Sequence, residues 1–139
     1  MNDTSTTTPM VATGAAGIDA FLLAIAAGTG IPADVYAPDA SLDATVPNWR
    51  FRVDGPSAIA AEYSRWFASP GSFEELNRSP LPDGEVITYV LSWTEDGVPH
   101  AAHHCHVVRL TIDGLIGSDT VFCGGRWPAA LLAEMAAAT

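Results

Sequence analysis

The sequence predicts an α+β domain in which a cone-shaped, strongly curved antiparallel sheet wraps around N-terminal helices, with a short helix at the C-terminus. Three observations indicate this class. Helical patterns fill the first part of the chain, strand-like segments joined by tight turns fill the second part, and Pro128 opens a last apolar segment. With 139 residues, 48% of them hydrophobic, the chain suits one domain with its own core.

The first residues, MNDTSTTTPMVATG, lack the charged start and the long apolar run of a secretory signal. We therefore expect a disordered lead over residues 1–16 and a single domain over residues 17–139. No apolar run is long enough to span a bilayer, and two cysteines do not make a disulfide framework. These features together predict a cytoplasmic protein.

Three helices are expected before the main group of strands. Residues 18–27 form an apolar segment that ends at Gly28, where a glycine is well suited to terminate a helix. Residues 31–40 predict a second short helix, because Pro38 stands where it would end. A third helix is predicted from Gly55-Pro56 to about residue 68, with its apolar residues on one stripe.

One early strand is predicted over residues 41–46, and four more follow the third helix. Pro-Asp-Gly and Asp-Gly turns separate the later strands, at residues 72–81, 86–94, 101–112 and 115–123. The strand at 86–94 is apolar on both faces, which indicates burial on both sides. One face is expected to meet the helices. The other meets either a second subunit, giving a homodimer through the convex sheet face, or the C-terminal helix.

All four histidines lie within residues 100–106, and strand parity predicts which of them point inward. Val108, Leu110 and Ile112 alternate with polar residues, so this apolar set should face the concave side. Continuing the period of two backwards places His106, His104 and His100 inside, and directs His103 and Cys105 to the convex side.

The Asp113-Gly114 turn predicts the register of the next strand. If Ile112 lies opposite Leu115, then Asp119 lies opposite Val108 and diagonal to His106, on the same inward face. An apolar interior destabilises an ionised carboxylate, and a nearby imidazole stabilises it, so the pair suits proton abstraction and return. Asp119, His106 and His104 are therefore the candidate catalytic residues. A polar cluster that satisfies itself is the alternative.

Six further residues are candidates for ligand binding. Aromatic rings are expected to line the cavity or to stack on a flat ligand, and an arginine at the mouth is expected to hold an anionic group. Asp43 remains a candidate because Pro47 can distort its strand, although parity directs its side chain away from the interior. The set comprises Phe21, Asp43, Trp49, Tyr63, Trp66 and Arg126.

Composition argues against two classes of partner. The formal net charge is −10, and all six basic residues are arginines with no run among them. Nucleic acids and anionic membranes both require basic surfaces, so neither is expected as a partner. A hydrophobic small molecule is the expected ligand, and no cofactor is expected.

Three stretches carry a resemblance to a known family: VYAPDASLDATV after two helices, the Gly55-Pro56 helix ending in WFA, and VVRLTIDGLI before the last strand. They resemble the nuclear transport factor 2-like superfamily, which includes ketosteroid isomerase and the SnoaL-like polyketide cyclases. The resemblance covers about residues 18–127 and implies a cone fold. Since the cyclases use an aspartate on a late strand with histidine nearby, it also implies Asp119 as the base and His106 as its partner.

The resemblance does not extend to the catalytic residues of ketosteroid isomerase. Ala44 stands at the position of its general base, Phe21 at that of its helix-one tyrosine, and His106 at that of its protonated aspartate. We therefore do not expect steroid isomerisation by that mechanism.

The sequence predicts a cofactor-free acid–base isomerase or cyclase that acts on a polyketide-, terpene- or steroid-like substrate. Two alternatives remain open, because this superfamily hosts many activities. One is a non-catalytic ligand-binding or dimerisation module. The other is a metal enzyme that uses His104, His106 and Asp119 as two imidazoles and one carboxylate.

Overall fold

The computed structural model describes the backbone of residues 8–139 and the side chains of residues 17–139. Within these residues the fold is α+β, as the sequence predicts. The elements are α1 (Thr8–Ala27), a 3-10 turn (Ala33–Val35), β1 (Tyr36–Val46), β2 (Trp49–Asp54), α2 (Pro56–Trp66), β3 (Gly71–Leu81), β4 (Gly84–Glu95), β5 (Val98–Leu110), β6 (Ile116–Cys123), β7 (Trp127–Pro128) and α3 (Ala129–Ala138).

The sheet follows the order β2-β1-β6-β5-β4-β3, and the short β7 pairs with β5. The four later strands, β3 to β6, are antiparallel to one another, as expected. The sheet as a whole is mixed, however, because β1 joins β6 in a parallel pairing. The expected antiparallel pairing is present among the strands after α2. Strand β1 departs from it, because it is joined to β6 by a crossover that includes α2 and not by a hairpin.

The N-terminal helix is longer than the apolar pattern predicts. It begins at Thr8 and continues to Ala27. The predicted disordered lead covers residues 1–16, of which residues 1–7 lie outside the described residues and residues 8–16 belong to α1.

The helix predicted over residues 31–40 is wrong. Only a single 3-10 turn forms, and strand β1 already begins at Tyr36. The pairing of β1 with β6 shifts between Tyr36 and Ser41, so Pro38 lies at an irregularity of the strand. A proline lacks the N–H that a regular ladder needs, and such irregularities are where strands tolerate it.

Strand β2 was not predicted from the sequence. Pro47 and Asn48 form a tight turn, with Asn48 at a φ of 64°, and Trp49 then pairs back with Val46. Asparagine is among the few residues that tolerate a positive φ at a turn. Residues 49–54 therefore form an edge strand.

Three predicted pairs between β5 and β6 are present: His104 with Cys123, His106 with Val121, and Val108 with Asp119. The turn at Asp113-Gly114 differs from the prediction, in which Ile112 lies opposite Leu115. Ile112 is 89% exposed and lies beyond the end of β5. Leu110 pairs with Ile116, and a one-residue irregularity at Gly117 restores the predicted register. The expected inward orientation of Ile112 is thus wrong, and the bulge compensates for it.

Helices α1 and α2 pack on the concave face of the sheet and form the core with it. Ile18, Phe21 and Ile25 of α1 and Ile59 and Tyr63 of α2 are fully buried. Helix α3 packs against β5 and β7 instead and buries none of its residues fully. Among the described residues, no helix combines the length and the apolar character needed to cross a bilayer.

Candidate active site

Asp119 and His106 meet inside the cone. They lie on the neighbouring strands β6 and β5, and His106 Nδ1 is 3.1 Å from Asp119 Oδ1 and 3.2 Å from Oδ2. The side chains are 1% and 0% exposed respectively. The diagonal placement expected from the sequence is therefore present, and the two groups are in hydrogen-bonding contact.

Two tyrosines complete this cluster. The Tyr63 hydroxyl of α2 donates to Asp119 Oδ2 at 2.6 Å, and the Tyr89 hydroxyl of β4 lies 2.9 Å from His106 Nε2. An ionised carboxylate only accepts hydrogen bonds, so His106 must donate from Nδ1. In a neutral ring Nε2 then accepts from the Tyr89 hydroxyl. This assignment satisfies every contact in the chain Tyr63–Asp119–His106–Tyr89.

Both tyrosines remain protonated donors at neutral pH. Burial raises the pKa of Tyr63 well above its ordinary value, and the negative charge of Asp119 raises it further. The same two causes raise the pKa of Tyr89. The two hydroxyl groups therefore stay uncharged and act as hydrogen-bond donors that hold the carboxylate and the imidazole in place.

The space around this cluster is filled by the protein's own side chains. The Phe21 ring lies 5.7 Å from the His106 ring and 5.5 Å from the Tyr63 ring, centroid to centroid. Tyr36 also approaches, and burial raises the pKa of its hydroxyl. Neither Asp119 nor His106 lines a described cavity. The acid–imidazole pair is therefore closed off from solvent in this conformation.

A cavity of about 410 Å³ lies between α2 and the concave face of the sheet. Its walls are mainly aromatic and apolar, and its polar groups include an imidazole, a thiol and the charged ends of α2 and of the segment after β6. Its charged, hydrogen-bonding and tryptophan side chains are those of Glu62, Arg65, Trp66, Trp93, His104, Cys123 and Arg126.

His104 connects this cavity with the buried cluster. Its ring lines the cavity, stacks on Trp66 at 5.9 Å and lies 6.0 Å from the ring of His106. The side chain is only 4% exposed, and its Nδ1 has no hydrogen-bond partner among the described residues. Buried polar atoms are nearly always paired, so an unpartnered one indicates a missing ligand or water.

Burial, together with the nearby His106 and His103, lowers the pKa of His104 from its ordinary 6.5 to about 3. The ring is therefore neutral at physiological pH, with one N–H donor and one acceptor nitrogen. It can hydrogen-bond a carbonyl or hydroxyl oxygen, but a group with so low a pKa is a weak base.

This depressed pKa predicts a pH-dependent contribution to stability. Because the pKa of His104 is lower in the folded chain, protonation favours unfolding. The stabilising contribution is fully present above pH 6.5 and is lost as the pH falls from 6.5 towards 3. Relative to a His104→Phe variant, wild-type protein should lose up to about 1.4 kcal/mol per pH unit across this range. Urea unfolding of both proteins at pH 7, 5 and 4 measures their free energies of unfolding. The same change with pH in the two proteins would contradict this prediction.

Two ion pairs flank the cavity. On α2, Arg65 binds Glu62, which also accepts a 3.0 Å hydrogen bond from Trp66 Nε1. Across the cavity, Arg126 binds Glu95. Its guanidinium also lies 5.2 Å from the Trp93 ring. Both arginines are thus already neutralised by carboxylates, so an anionic ligand group would have to compete with Glu62 or Glu95.

Of the six residues expected at the ligand site, Trp66 and Arg126 line the cavity. Phe21 and Tyr63 do not line it, because both are fully buried in the core around His106. Trp49 is 69% exposed on the edge strand β2, so its expected place at the cavity is wrong.

Asp43 also does not line the cavity. Its carboxylate forms a two-pronged salt bridge with Arg50 across the β1–β2 hairpin, at 3.0 and 2.7 Å. This hydrogen-bonded partner lowers the pKa of Asp43. Parity directs the side chain outward, as the sequence predicts, and Pro47 does not change that orientation.

Tyr89 was not predicted as a site residue, although the sequence carries a signal for it. The Asp96-Gly97 hairpin has a positive φ at both residues, which is typical of a two-residue turn. It pairs Glu95 with Val98, and the same register pairs Tyr89 with His104. The position of this turn in the sequence therefore predicts that Tyr89 lies beside His104.

The described residues contain no group of three or more histidine, cysteine, aspartate or glutamate side chains placed to hold a metal ion. Both nitrogens of His106 are already engaged, by Asp119 and Tyr89. The proposed set of two imidazoles and one carboxylate therefore does not converge on one point, and the geometry does not support the metal-enzyme alternative.

Comparison with known proteins shows the fold. No family model matches the chain, and no curated protein matches it. A candidate isomerase from Bacillus subtilis superposes with a TM-score of 0.65 at 13% identity, over 83% of this chain and 88% of that one. An NTF-2 like protein of unknown function from Burkholderia xenovorans superposes with a TM-score of 0.55 at 17% identity, over 83% of this chain and 85% of that one.

A third solved structure, a candidate ketosteroid isomerase from Parabacteroides distasonis, gives a TM-score of 0.52 at 14% identity, over 76% of this chain and 83% of that one. At such low identities the likeness concerns the fold alone. The chain has the nuclear transport factor 2-like fold.

Proposed function

We propose that this chain is a small-molecule-binding cone domain whose ligand occupies the cavity beside His104. The observation that carries the proposal is the buried, unpartnered Nδ1 of a histidine that lines an otherwise apolar cavity. An oxygen atom of a ligand can provide the hydrogen-bond partner that His104 Nδ1 lacks among the described residues. Because Nδ1 is itself buried, a ligand oxygen reaches it only after the ring turns towards the cavity.

The cavity favours a compact, largely apolar ligand. A volume of about 410 Å³ lies within the usual range for small-molecule sites. Trp66 and Trp93 offer aromatic surfaces for flat rings. Fused-ring ketones and alcohols, such as polyketide-, terpene- or steroid-like molecules, fit this description.

The experiment uses 2-tetralone, a bicyclic ketone, and follows quenching of tryptophan fluorescence. A His104→Phe variant keeps an aromatic ring against Trp66 but cannot hydrogen-bond the ketone. We expect its affinity to fall about tenfold, the value of one hydrogen bond. His103→Phe is the matched control, because His103 is exposed on the convex face. This variant should bind 2-tetralone with the wild-type affinity. Equal affinities of the two variants would contradict the role of His104.

A more specific activity extends this proposal, namely a cofactor-free acid–base isomerase or cyclase. Its support is the hydrogen-bonded pair of Asp119 and His106 in an apolar interior, with Tyr63 as a further donor. Asp119 would accept a proton from carbon next to a carbonyl, His106 would hold and return it, and His104 would polarise the carbonyl. Since Asp119 does not line the cavity, this reaction requires the substrate to enter more deeply, past His104.

A second candidate function is a non-catalytic ligand-binding module. The specific observation that favours it is the closure of the acid–imidazole pair. Asp119 and His106 are fully enclosed and satisfied by Tyr63 and Tyr89. A buried and fully hydrogen-bonded cluster of this kind can have a purely structural role, in which it stabilises one arrangement of the core. The two candidates share the cavity and differ in whether Asp119 meets the ligand.

We also propose a homodimer formed through the convex sheet face. Phe122 lies on this face, is apolar and is 49% exposed. Val107 and Val90, on the same face of β5 and β4, are only half-buried. We expect sedimentation to give twice the mass of the chain, and Phe122→Asp to give the single mass. Ile112→Asp, in an exposed loop, should leave the dimer intact. A monomeric wild-type protein would contradict this proposal.

A further inference from the structure

The cavity contains a thiol that the proposed function does not use. Cys123 lies at the end of β6, half-buried, and lines the cavity. It shares the concave face with Val121 and Asp119, since alternate residues of a strand point to one side. A nucleophile that faces an apolar cavity meets whatever ligand the cavity binds.

Cys123 is the direct cross-strand partner of His104. Directly paired residues have their β-carbons about 4.5–5.5 Å apart, so the thiol and the imidazole stand side by side on the cavity wall. His104 is the independent sign of a ligand here, because its ring is buried and its Nδ1 has no described partner. A molecule whose oxygen binds His104 therefore places its neighbouring carbons near the sulfur.

The backbone beyond Cys123 supplies a donor to the sulfur. The Gly125 N–H lies 3.4 Å from Cys123 Sγ, where it can stabilise negative charge on the sulfur. Gly125 has a φ of 119°, a conformation that favours glycine, so this contact depends on the Gly124-Gly125 turn. Arg126 lines the same cavity.

We propose that this cavity is a covalent binding site for α,β-unsaturated ketones, in which Cys123 Sγ adds to the β-carbon while His104 holds the carbonyl oxygen. The proposal rests on the ligand-binding role of the cavity and names the chemical class that would react there.

The addition needs no further reagent. The sulfur forms a bond with the β-carbon, and the electron pair of the carbon–carbon double bond moves to the α-carbon and the carbonyl oxygen as an enolate. The thiol proton is then taken up at the α-carbon, which leaves a saturated thioether ketone. A hydrogen bond from His104 to the carbonyl oxygen stabilises the negative charge that develops there.

Cys105 provides an internal comparison. It is half-buried on the opposite, convex face of the sheet, and it does not line the cavity. Burial raises the pKa of both thiols, although the Gly125 N–H and Arg126 partly oppose this at Cys123. Preferential reaction at Cys123 would therefore come from binding in the cavity, which raises the effective concentration of the ketone.

The experiment treats the folded protein with 2-cyclohexenone and follows adduct formation by intact mass and peptide mapping. We expect Cys123 to react at least about tenfold faster than Cys105, given the effective concentration that even weak binding provides. Iodoacetamide does not depend on binding in the cavity, so its reaction rates with Cys123 and Cys105 should differ less than those of the enone. A Cys123→Ser variant should lose the fast adduct, and Cys105→Ser should retain it.

Two further measurements separate this proposal from the proposed function. 2-Tetralone, which has no double bond conjugated to its carbonyl, should protect Cys123 from the enone. His104→Phe should slow adduct formation while leaving the iodoacetamide rate unchanged. If 2-tetralone binds and quenches the tryptophans but Cys123 reacts no faster than Cys105, the covalent site is refuted and the ligand-binding function stands. If 2-tetralone does not bind and Cys123 is not preferred, both are refuted.

Discussion

An Asp119→Ala variant is expected to lose about 3–5 kcal/mol of its free energy of unfolding. The carboxylate accepts hydrogen bonds from Tyr63 and from His106 Nδ1, and both donors are fully buried. Alanine leaves the two donors without an acceptor in a site that water does not reach. Each unsatisfied buried donor costs about 1–3 kcal/mol, which sets the size of the effect.

Urea unfolding at pH 7 measures this loss as a shift of the midpoint at constant slope. Asp43→Ala is the matched control, because it removes an aspartate whose salt bridge with Arg50 is exposed. That control should cost less than about 1 kcal/mol. If Asp119→Ala fails to fold, Asp119→Asn substitutes for it, with a smaller expected loss because the amide oxygen still accepts. Similar losses for Asp119→Ala and Asp43→Ala would show that the buried cluster contributes little to stability.

The second large effect concerns proton transfer. In deuterated buffer, wild-type protein is expected to accelerate exchange of the α-protons of 2-tetralone, and Asp119→Asn to slow this reaction about 10²–10⁴-fold. An amide keeps the shape of the carboxylate and its hydrogen bond with Tyr63, but it cannot accept a proton. Proton NMR follows the loss of the α-proton signals, and circular dichroism establishes that the variant is folded.

Asp113→Asn controls for the removal of a carboxylate, since Asp113 lies in the exposed loop after β5. It should exchange at the wild-type rate. Unchanged exchange in Asp119→Asn would place the base elsewhere in the chain. If wild-type protein does not exceed the buffer rate although 2-tetralone binds, the non-catalytic binding module is the correct function.

The inward placement of the candidate residues could be predicted because it depends on the strict period of two in a strand. Alternation along β5 places His104 and His106 on the concave face, and both are buried there. The pairing of Val108 with Asp119 was also predicted, but only because the loop at Ile112 and the bulge at Gly117 compensate for each other. A bulge leaves no reliable signal in a single sequence, so a register inferred from one turn is vulnerable to it.

The start of β1 could not be predicted from local pattern. Pro38 is typical of the end of a helix, and the short apolar segment around Val35 suits a helix or a strand equally. The parallel pairing of β1 with β6 decides the outcome, and that contact joins residues far apart in sequence. Local propensity is a weak guide when a tertiary contact of this kind competes with it.

The position of the cavity depends on how side chains fill the cone, which strand parity does not reveal. Phe21, Tyr63 and Tyr89 pack around His106 and close the deep end. The open space begins at His104, beside Trp66. The sequence could therefore identify which residues face inward, but not which of them a ligand reaches.

A crystal structure of the protein with bound 2-tetralone shows whether His104 holds the ligand. We predict that the ketone lies between α2 and the sheet, with its rings against Trp66 or Trp93 and its oxygen within about 3.2 Å of a ring nitrogen of His104. A ketone bound outside this cavity, or bound inside it with no contact to His104, would contradict the proposed function.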